Sequence, residues 1–258
     1  MQHESHSFWY SFRKRLVRNS GAVFGLIIIA VACATGAMAY YIAPDHSPDA
    51  NRIILEISGK KPGLTMQFLL LPKEKKVNQA GWFDRLMNGQ EDSFIYLPVQ
   101  SWQIKKDSII VEKYVDDGIT ERQGYLLNNI QAVSHDLVVQ KTFWLGTDKF
   151  GRDIVSRLII GVRVSLAVGL IAVVISLTIG ITLGLVAGYF GGTPDKVIMW
   201  FINVVWSIPT LLLVFAITLA LGKGFLQVFI AVGLTLWVNV ARVIRTQVFS
   251  IRELQYIE

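Results

Sequence analysis

Only one cysteine, Cys33, occurs among the 258 residues. That excludes an intrachain disulfide and any metal site built from paired thiolates. The four histidines, His3, His6, His46 and His135, are dispersed, and none has a second ligand at a metal-binding spacing, so no metal or other cofactor is expected. A phosphate-binding loop of the form Gly-x4-Gly-Lys-Ser/Thr is absent: Gly59-Lys60 and Gly222-Lys223 both lack the rest of the pattern. The chain is therefore not expected to hydrolyse ATP. Nor do its scattered Ser, His and Asp residues, or Cys33, form a recognisable nucleophile arrangement, and no catalytic residue is assigned.

The most informative absence is that of charge. Residues 22–43, 164–190, 197–221 and 225–241 contain no Asp, Glu, Lys, Arg or His. Each approaches or exceeds the ~20 residues that a helix needs to cross a ~30 Å hydrocarbon core. Four transmembrane helices are expected, since a helix satisfies its own backbone in lipid and these runs do not alternate as barrel strands do. A mean hydropathy of +0.45 and 52% hydrophobic residues agree with a membrane protein. With no ionisable residue in any run, a built-in proton relay or ion-coupled transport mechanism is poorly supported.

What charge there is sits between the runs. The 25 basic residues outnumber the 19 acidic ones, but they are scattered, which argues against a nucleic-acid surface. Arg13, Lys14, Arg15 and Arg18 precede the first run and place the N-terminus in the cytoplasm. By alternation, residues 44–163 fall outside, and Arg242, Arg245 and Arg252 fall inside. The triplet Ala37-Met38-Ala39 also fits a signal-peptide cleavage site; the long polar lead and the length of the apolar run favour an uncleaved anchor.

Residues 44–142 differ in character. Runs at 52–57, 65–71, 93–99 and 108–115 have strand composition, and Lys61-Pro62-Gly63 and Asp116-Asp117-Gly118 are turn signals. A β-rich extracytoplasmic domain is expected, with the charged stretch 73–76 as a solvated loop. Beyond it, Thr147 or Asp148 can cap a helix whose Ile154, Val155, Leu158, Ile159 and Val162 form an apolar stripe opposite Arg152, Ser156 and Arg163. Asp153 stands four residues before Arg157, the spacing of a helical ion pair worth ~0.2–0.5 kcal/mol. This reads as an amphipathic elbow at 143–163 that turns at Gly161 into the second span, serving either as an anchor or as a gate or docking surface.

Within the spans, Gly180, Gly184 and Gly188 repeat every four residues and permit close helix approach. Pro209 should kink the third span near Ser207. Asn203 and Asn239 are amides placed either to bond between helices or to line a polar path.

The residues FWLGTDKFGRDIVSR (143–157), GVRVSL (161–166), GYFGG (188–192) and Ile208-Pro209 resemble, in order and spacing, the C-type permease subunits of the dipeptide/oligopeptide/nickel ABC importers. The resemblance covers about residues 143–258 together with the basic lead and first span. It implies an α-helical integral membrane protein with a permease-like bundle of the type I importers, located in the plasma or inner membrane. It further implies a second permease subunit, cytoplasmic ATPase subunits and an extracytoplasmic solute-binding protein as partners, and a small peptide or nickel as solute. Gly146, Thr147, Asp148, Gly151, Arg152, Asp153 and Arg157 fall on the family's extracytoplasmic motif. Arg252, Glu253, Tyr256 and Glu258 resemble the opening of its ATPase-coupling loop. Against the family pattern the insert is long, and the chain reads as C-terminally truncated, with four of about six spans. The domains expected are 1–43, cytoplasmic lead and first span; 44–142, β-rich insert; 143–163, elbow; and 164–258, permease core. A membrane-anchored β-domain protein in sensing or assembly is the alternative.

Overall fold

The structure, a computed structural model, describes residues 16–74, 77, 79–127, 137–222 and 224–252. It comprises two compact units, Met1–Arg163 and Val164–Glu258.

The first described element is α1 (Ser20–Ala37), one of whose free N-terminal amides is met by Asn19: its side chain accepts from the Ala22 N–H at 3.2 Å. Its 18 uncharged residues reach ~27 Å. A one-turn helix, α2 (Ala39–Ile42), follows Met38, and two 3-10 turns, Pro48–Ala50 and Leu55–Ile57, lead toward the sheet. The strand expected at 52–57 does not form. Its backbone bonds elsewhere, Ile54 N–H to the Phe150 carbonyl and Ile57 N–H back to that of Ile54 in the 3-10 turn, so the run joins no sheet neighbour.

Five antiparallel strands then form one sheet in the order β4-β3-β2-β1-β5. They are β1 (Leu64–Pro72), β2 (Phe94–Lys105), β3 (Ser108–Asp116), β4 (Ile119–Leu126) and β5 (Val138–Phe143), with α3 (Trp82–Asn88) between β1 and β2. The Asp117-Gly118 turn joins β3 to β4, with Gly118 at φ +79°. Alternation along β1 sends Leu69 to one face, with Leu97, Val99, Ile109, Val111 and Leu127. Phe68 goes to the other, with Ile54, Ile57, Tyr114 and Phe143. Phe68 meets the rings of Tyr96 and Phe143 edge to face at 6.0 and 6.1 Å.

The helix α4 (Ile154–Phe190) runs unbroken for 37 residues. The expected turn at Gly161 is therefore absent, because a single glycine costs an α-helix only ~1 kcal/mol and the hydrogen-bond ladder continues through it. In the second unit follow α5 (Gly192–Ser207), α6 (Thr210–Leu221) and α7 (Phe225–Arg252).

Where a single kinked span was expected at 197–221, α5 and α6 are separate helices at 97°. The proline ring excludes the helical region for the residue before it, and Ile208 is extended (φ −93°, ψ 129°) while Pro209 precedes α6 at φ −54°, ψ 125°. Among the described residues three helices, α1, α4 and α7, are long and apolar enough to cross a membrane, or up to four spans if the bent pair counts as one. α6 alone, at 12 residues, reaches only ~18 Å.

Candidate functional site

The residues of the 146–157 motif fold into a tight loop laced to the segment that follows the first span. Gly146 and Gly151 both have positive φ, +76° and +71°. A Cβ on Gly146 would stand 2.3 Å from the Lys60 carbonyl oxygen, and one on Gly151 would stand 1.7 Å from that of Ile54. Only glycine admits this approach. Across it, Thr147 N–H donates to the Lys60 carbonyl at 3.1 Å, its hydroxyl accepts from Lys60 N–H at 3.0 Å, and the same hydroxyl donates to the Ile57 carbonyl.

Asp148 organises the loop from inside. One carboxylate oxygen accepts from the Phe150 and Arg152 amides at 2.9 and 3.0 Å; the other accepts from Arg152 Nε at 2.8 Å, with Arg157 Nε at 3.8 Å. Burial pushes the Asp148 carboxyl up, but these donors outweigh it and hold it below the usual carboxylate range. Arg152 also reaches Asn51 Oδ1 at 2.9 Å.

The helix cap differs from expectation. Neither Thr147 nor Asp148 caps α4: Asp153 does, its carboxylate accepting from Ser156 N–H at 2.8 Å and from the Ser156 hydroxyl. Both earlier residues are engaged in the loop, and Asp153, bridged to Thr147, is the residue immediately before Ile154. The expected Asp153 to Arg157 ion pair is accordingly not formed; Arg157 faces Asp148. Ser156 is fully buried rather than on a polar surface, and its hydroxyl also accepts from Asp45 N–H at 2.8 Å.

From Asp45 a polar network extends to the sheet; no local pattern announces it, since its members range from Asp45 to Lys141. Arg52 pairs with Asp45 at 3.3 Å and Asp92 at 2.6 Å, and its guanidinium lies 4.1 Å from the centre of the Tyr96 ring. Lys141 Nζ lies 4.4 Å from the same ring. Burial, and then the nearby Arg52 charge, push the Lys141 amine down to about 8.

In the second unit the three glycines of α4 face α7. A Cβ on Gly180 would lie 2.8 Å from the Trp237 carbonyl oxygen, one on Gly184 2.7 Å from that of Ala241, and one on Gly188 2.7 Å from Val248 Cβ. The approach is mutual, because a Cβ on Gly233 of α7 would meet Ile175 of α4 at 2.8 Å. Ile202 of α5 completes this core with Trp237, Val238 and Ala241. A bidentate pair joins Arg245 of α7 to Asp195 in the first turn of α5, Nη2 to Oδ2 at 2.6 Å. Sequence reading missed it, because its two members stand fifty residues apart and no local spacing links them. Arg252 donates to the Tyr189 carbonyl at 2.9 Å. Asn203 and Asn239 are exposed on their helices and, among the described residues, make no hydrogen bond. Glu253, Tyr256 and Glu258 lie outside the described residues.

Residues 180–258 match the family described as binding-protein-dependent transport system inner membrane component, and residues 7–57 match the N-terminal TM domain of oligopeptide transport permease C. The chain is 35% identical over 136 residues to the oligopeptide transport system permease protein OppC of Bacillus subtilis, covering 53% of this chain and 44% of that protein. Against the dipeptide transport system permease protein DppC of the same organism it is 40% identical over 114 residues (44% and 36%). Against the glutathione transport system permease protein GsiD of Pectobacterium atrosepticum it is 41% identical over 115 residues (45% and 38%). The chain thus spans less than half the length of the curated relatives it matches. These matches support one family, that of the C-type permease subunits of dipeptide and oligopeptide importers.

Proposed function

We propose that the chain is a permease subunit of an ABC importer and forms part of the inward pathway for small peptides or a related solute. The observation that carries this reading is the similarity of the chain to permease proteins of oligopeptide, dipeptide and glutathione transport systems. The chain itself is then no enzyme: transport draws on separate cytoplasmic ATPase subunits, with a second permease subunit completing the pathway and an extracytoplasmic binding protein delivering solute. The protein is multi-pass in the inner membrane, with its N-terminus cytoplasmic and the five-stranded sheet outside.

On this reading 1–43 is the cytoplasmic lead and first span, 44–142 the extracytoplasmic insert, 143–163 the junction and 164–258 the permease core. Gly146, Thr147, Asp148, Gly151, Arg152, Asp153 and Arg157 hold the outer ends of two spans together. Gly180, Gly184 and Gly188 set the helix spacing. Asn203, Pro209 and Asn239 are the candidates for the pathway wall. Arg252, Glu253, Tyr256 and Glu258 begin the surface that meets the ATPase, where a seated helix would turn nucleotide-driven closure into rigid-body motion.

The test is co-expression with the neighbouring genes and purification through a tag on this chain. An ATPase should copurify, and uptake of labelled di- to pentapeptides into proteoliposomes should require ATP and not a proton gradient. Purification without an ATPase overturns the reading. A membrane-anchored sensing or assembly protein is the second reading, favoured by the size of the sheet domain; it requires that activity survive removal of residues 164–258.

A further inference from the structure

Trp82 and Phe83, at the start of α3, are 75% and 61% exposed, and Met87, one turn after Phe83, is 46% exposed. An edge-to-face aromatic pair, its rings 5.7 Å apart, left open on a seven-residue helix is an unusual surface for a water-facing loop. Its position decides what covers it. The Tyr41 hydroxyl of α2, in the last turn of the first apolar run, donates to the Trp82 carbonyl at 3.3 Å, and the Arg85 guanidinium lies 5.4 Å from the centre of the Tyr41 ring. On its other side, Arg163 of α4 donates to the Leu86 carbonyl at 2.5 Å and to Met87 Sδ at 3.3 Å, and lies 5.3 Å from the centre of the Tyr40 ring. Gly89, whose Cβ would meet the His46 carbonyl oxygen at 2.7 Å and the Tyr40 ring at 2.9 Å, closes the helix tightly onto the same residues.

The helix is thus tied to the terminal turn of one apolar span and to the last charged residue before the uncharged run of another. Both are places where a chain passes from hydrocarbon to water. Tryptophan, tyrosine and arginine are the residues that suit that boundary, with apolar bodies toward the acyl chains and polar groups toward the headgroups. We propose that α3 is a membrane-interface anchor: Trp82, Phe83 and Met87 sit in the headgroup and upper acyl layer and hold the sheet domain against the bilayer. This rests on α1 crossing the membrane, not on which solute is transported.

The experiment uses the full chain in phosphatidylcholine/phosphatidylglycerol vesicles. Cys33, exposed on α1, is the single native cysteine and reports the span itself. On a Cys33→Ser background, Trp82→Cys, Phe83→Cys and Ile119→Cys are each labelled with an environment-sensitive fluorophore; Ile119, beside the β3–β4 turn, is the aqueous control. Labels at 82 and 83 should be quenched at least twofold more than that at 119 by nitroxide on acyl carbon 5, and be correspondingly protected from iodide. Iodide quenching equal to the control overturns the proposal. So does shielding from both quenchers, which would mean a protein covers the helix. A Cys33 label with no lipid quenching removes the span and the proposal with it, whereas lipid-quenched Cys33 with water-exposed α3 removes the anchor alone.

Discussion

Gly151 and Gly118 share a left-handed backbone, at φ +71° and +79°, and differ in what surrounds them. Nothing lies within 4 Å of a Cβ at Gly118, so Gly118→Ala should cost only the left-handed penalty of about 1 kcal/mol. At Gly151 the added methyl falls 1.7 Å from the Ile54 carbonyl oxygen, and Gly151→Ala should destabilise by ~3 kcal/mol or more, read as thermal unfolding in detergent. Lys141 gives a pH signature. Its folded pKa is lowered to about 8 from an ordinary 10.5, by burial first and Arg52 second, against Asp92, Asp45 and Asp153. Below pH 8 both states hold the proton and the fold carries the cost of a buried charge. Between about 8 and 10.5 only the unfolded chain holds it, so stability rises with pH across that window. Lys141→Met should therefore be more stable than the native protein at pH 7, with the advantage shrinking toward pH 10. An advantage that is flat with pH would show that the amine does not titrate in that window.

At the scale of elements, the α4 and α7 seam is set by absent side chains. Gly184→Leu should separate the two helices and lower the melting temperature sharply, whereas Gly169→Leu, on the same helix and with no atom of another described element within 4 Å of its Cβ, should be tolerated. Besides the apolar contact of Ile202, the link from α5 to α7 includes the pair of Asp195 and Arg245. Asp195→Arg alone should destabilise strongly, and adding Arg245→Asp should recover more than half of the loss, measured as a double-mutant cycle. Three of the four expected strand runs coincide with β1, β2 and β3, because alternation and turn residues are local signals. The run at 52–57 has the same composition and failed, because its partner is a loop some ninety residues away that no local pattern announces. For the same reason the cap of α4 was misplaced: Thr147, Asp148 and Asp153 are all good capping residues, and only the folded loop assigns two of them elsewhere. Pro209 was read correctly as an interruption, but its steric effect on Ile208 produced a corner of 97° instead of a bend.

For the whole molecule, absence of charge was the most legible property, and it located the apolar runs that became α1, α4, most of α5 with α6, and much of α7. Sidedness is a separate matter that rests on the basic lead. Ile119, 59% exposed, offers a direct check: on a Cys33→Ser background, Ile119→Cys should react with a membrane-impermeant maleimide in intact spheroplasts. Labelling only after lysis would invert the topology. The unbroken α4 carries a further consequence. Its 37 residues measure ~55 Å against a hydrocarbon core of ~30 Å. With Arg163 at the interface, Asp153 stands up to ~15 Å above it. That exceeds the ~8–10 Å over which a charged bilayer surface is felt at physiological salt. The ion pairs of Asp148 with Arg152 and Arg157 would then sense the salt of the medium and be indifferent to how anionic the surrounding lipid is.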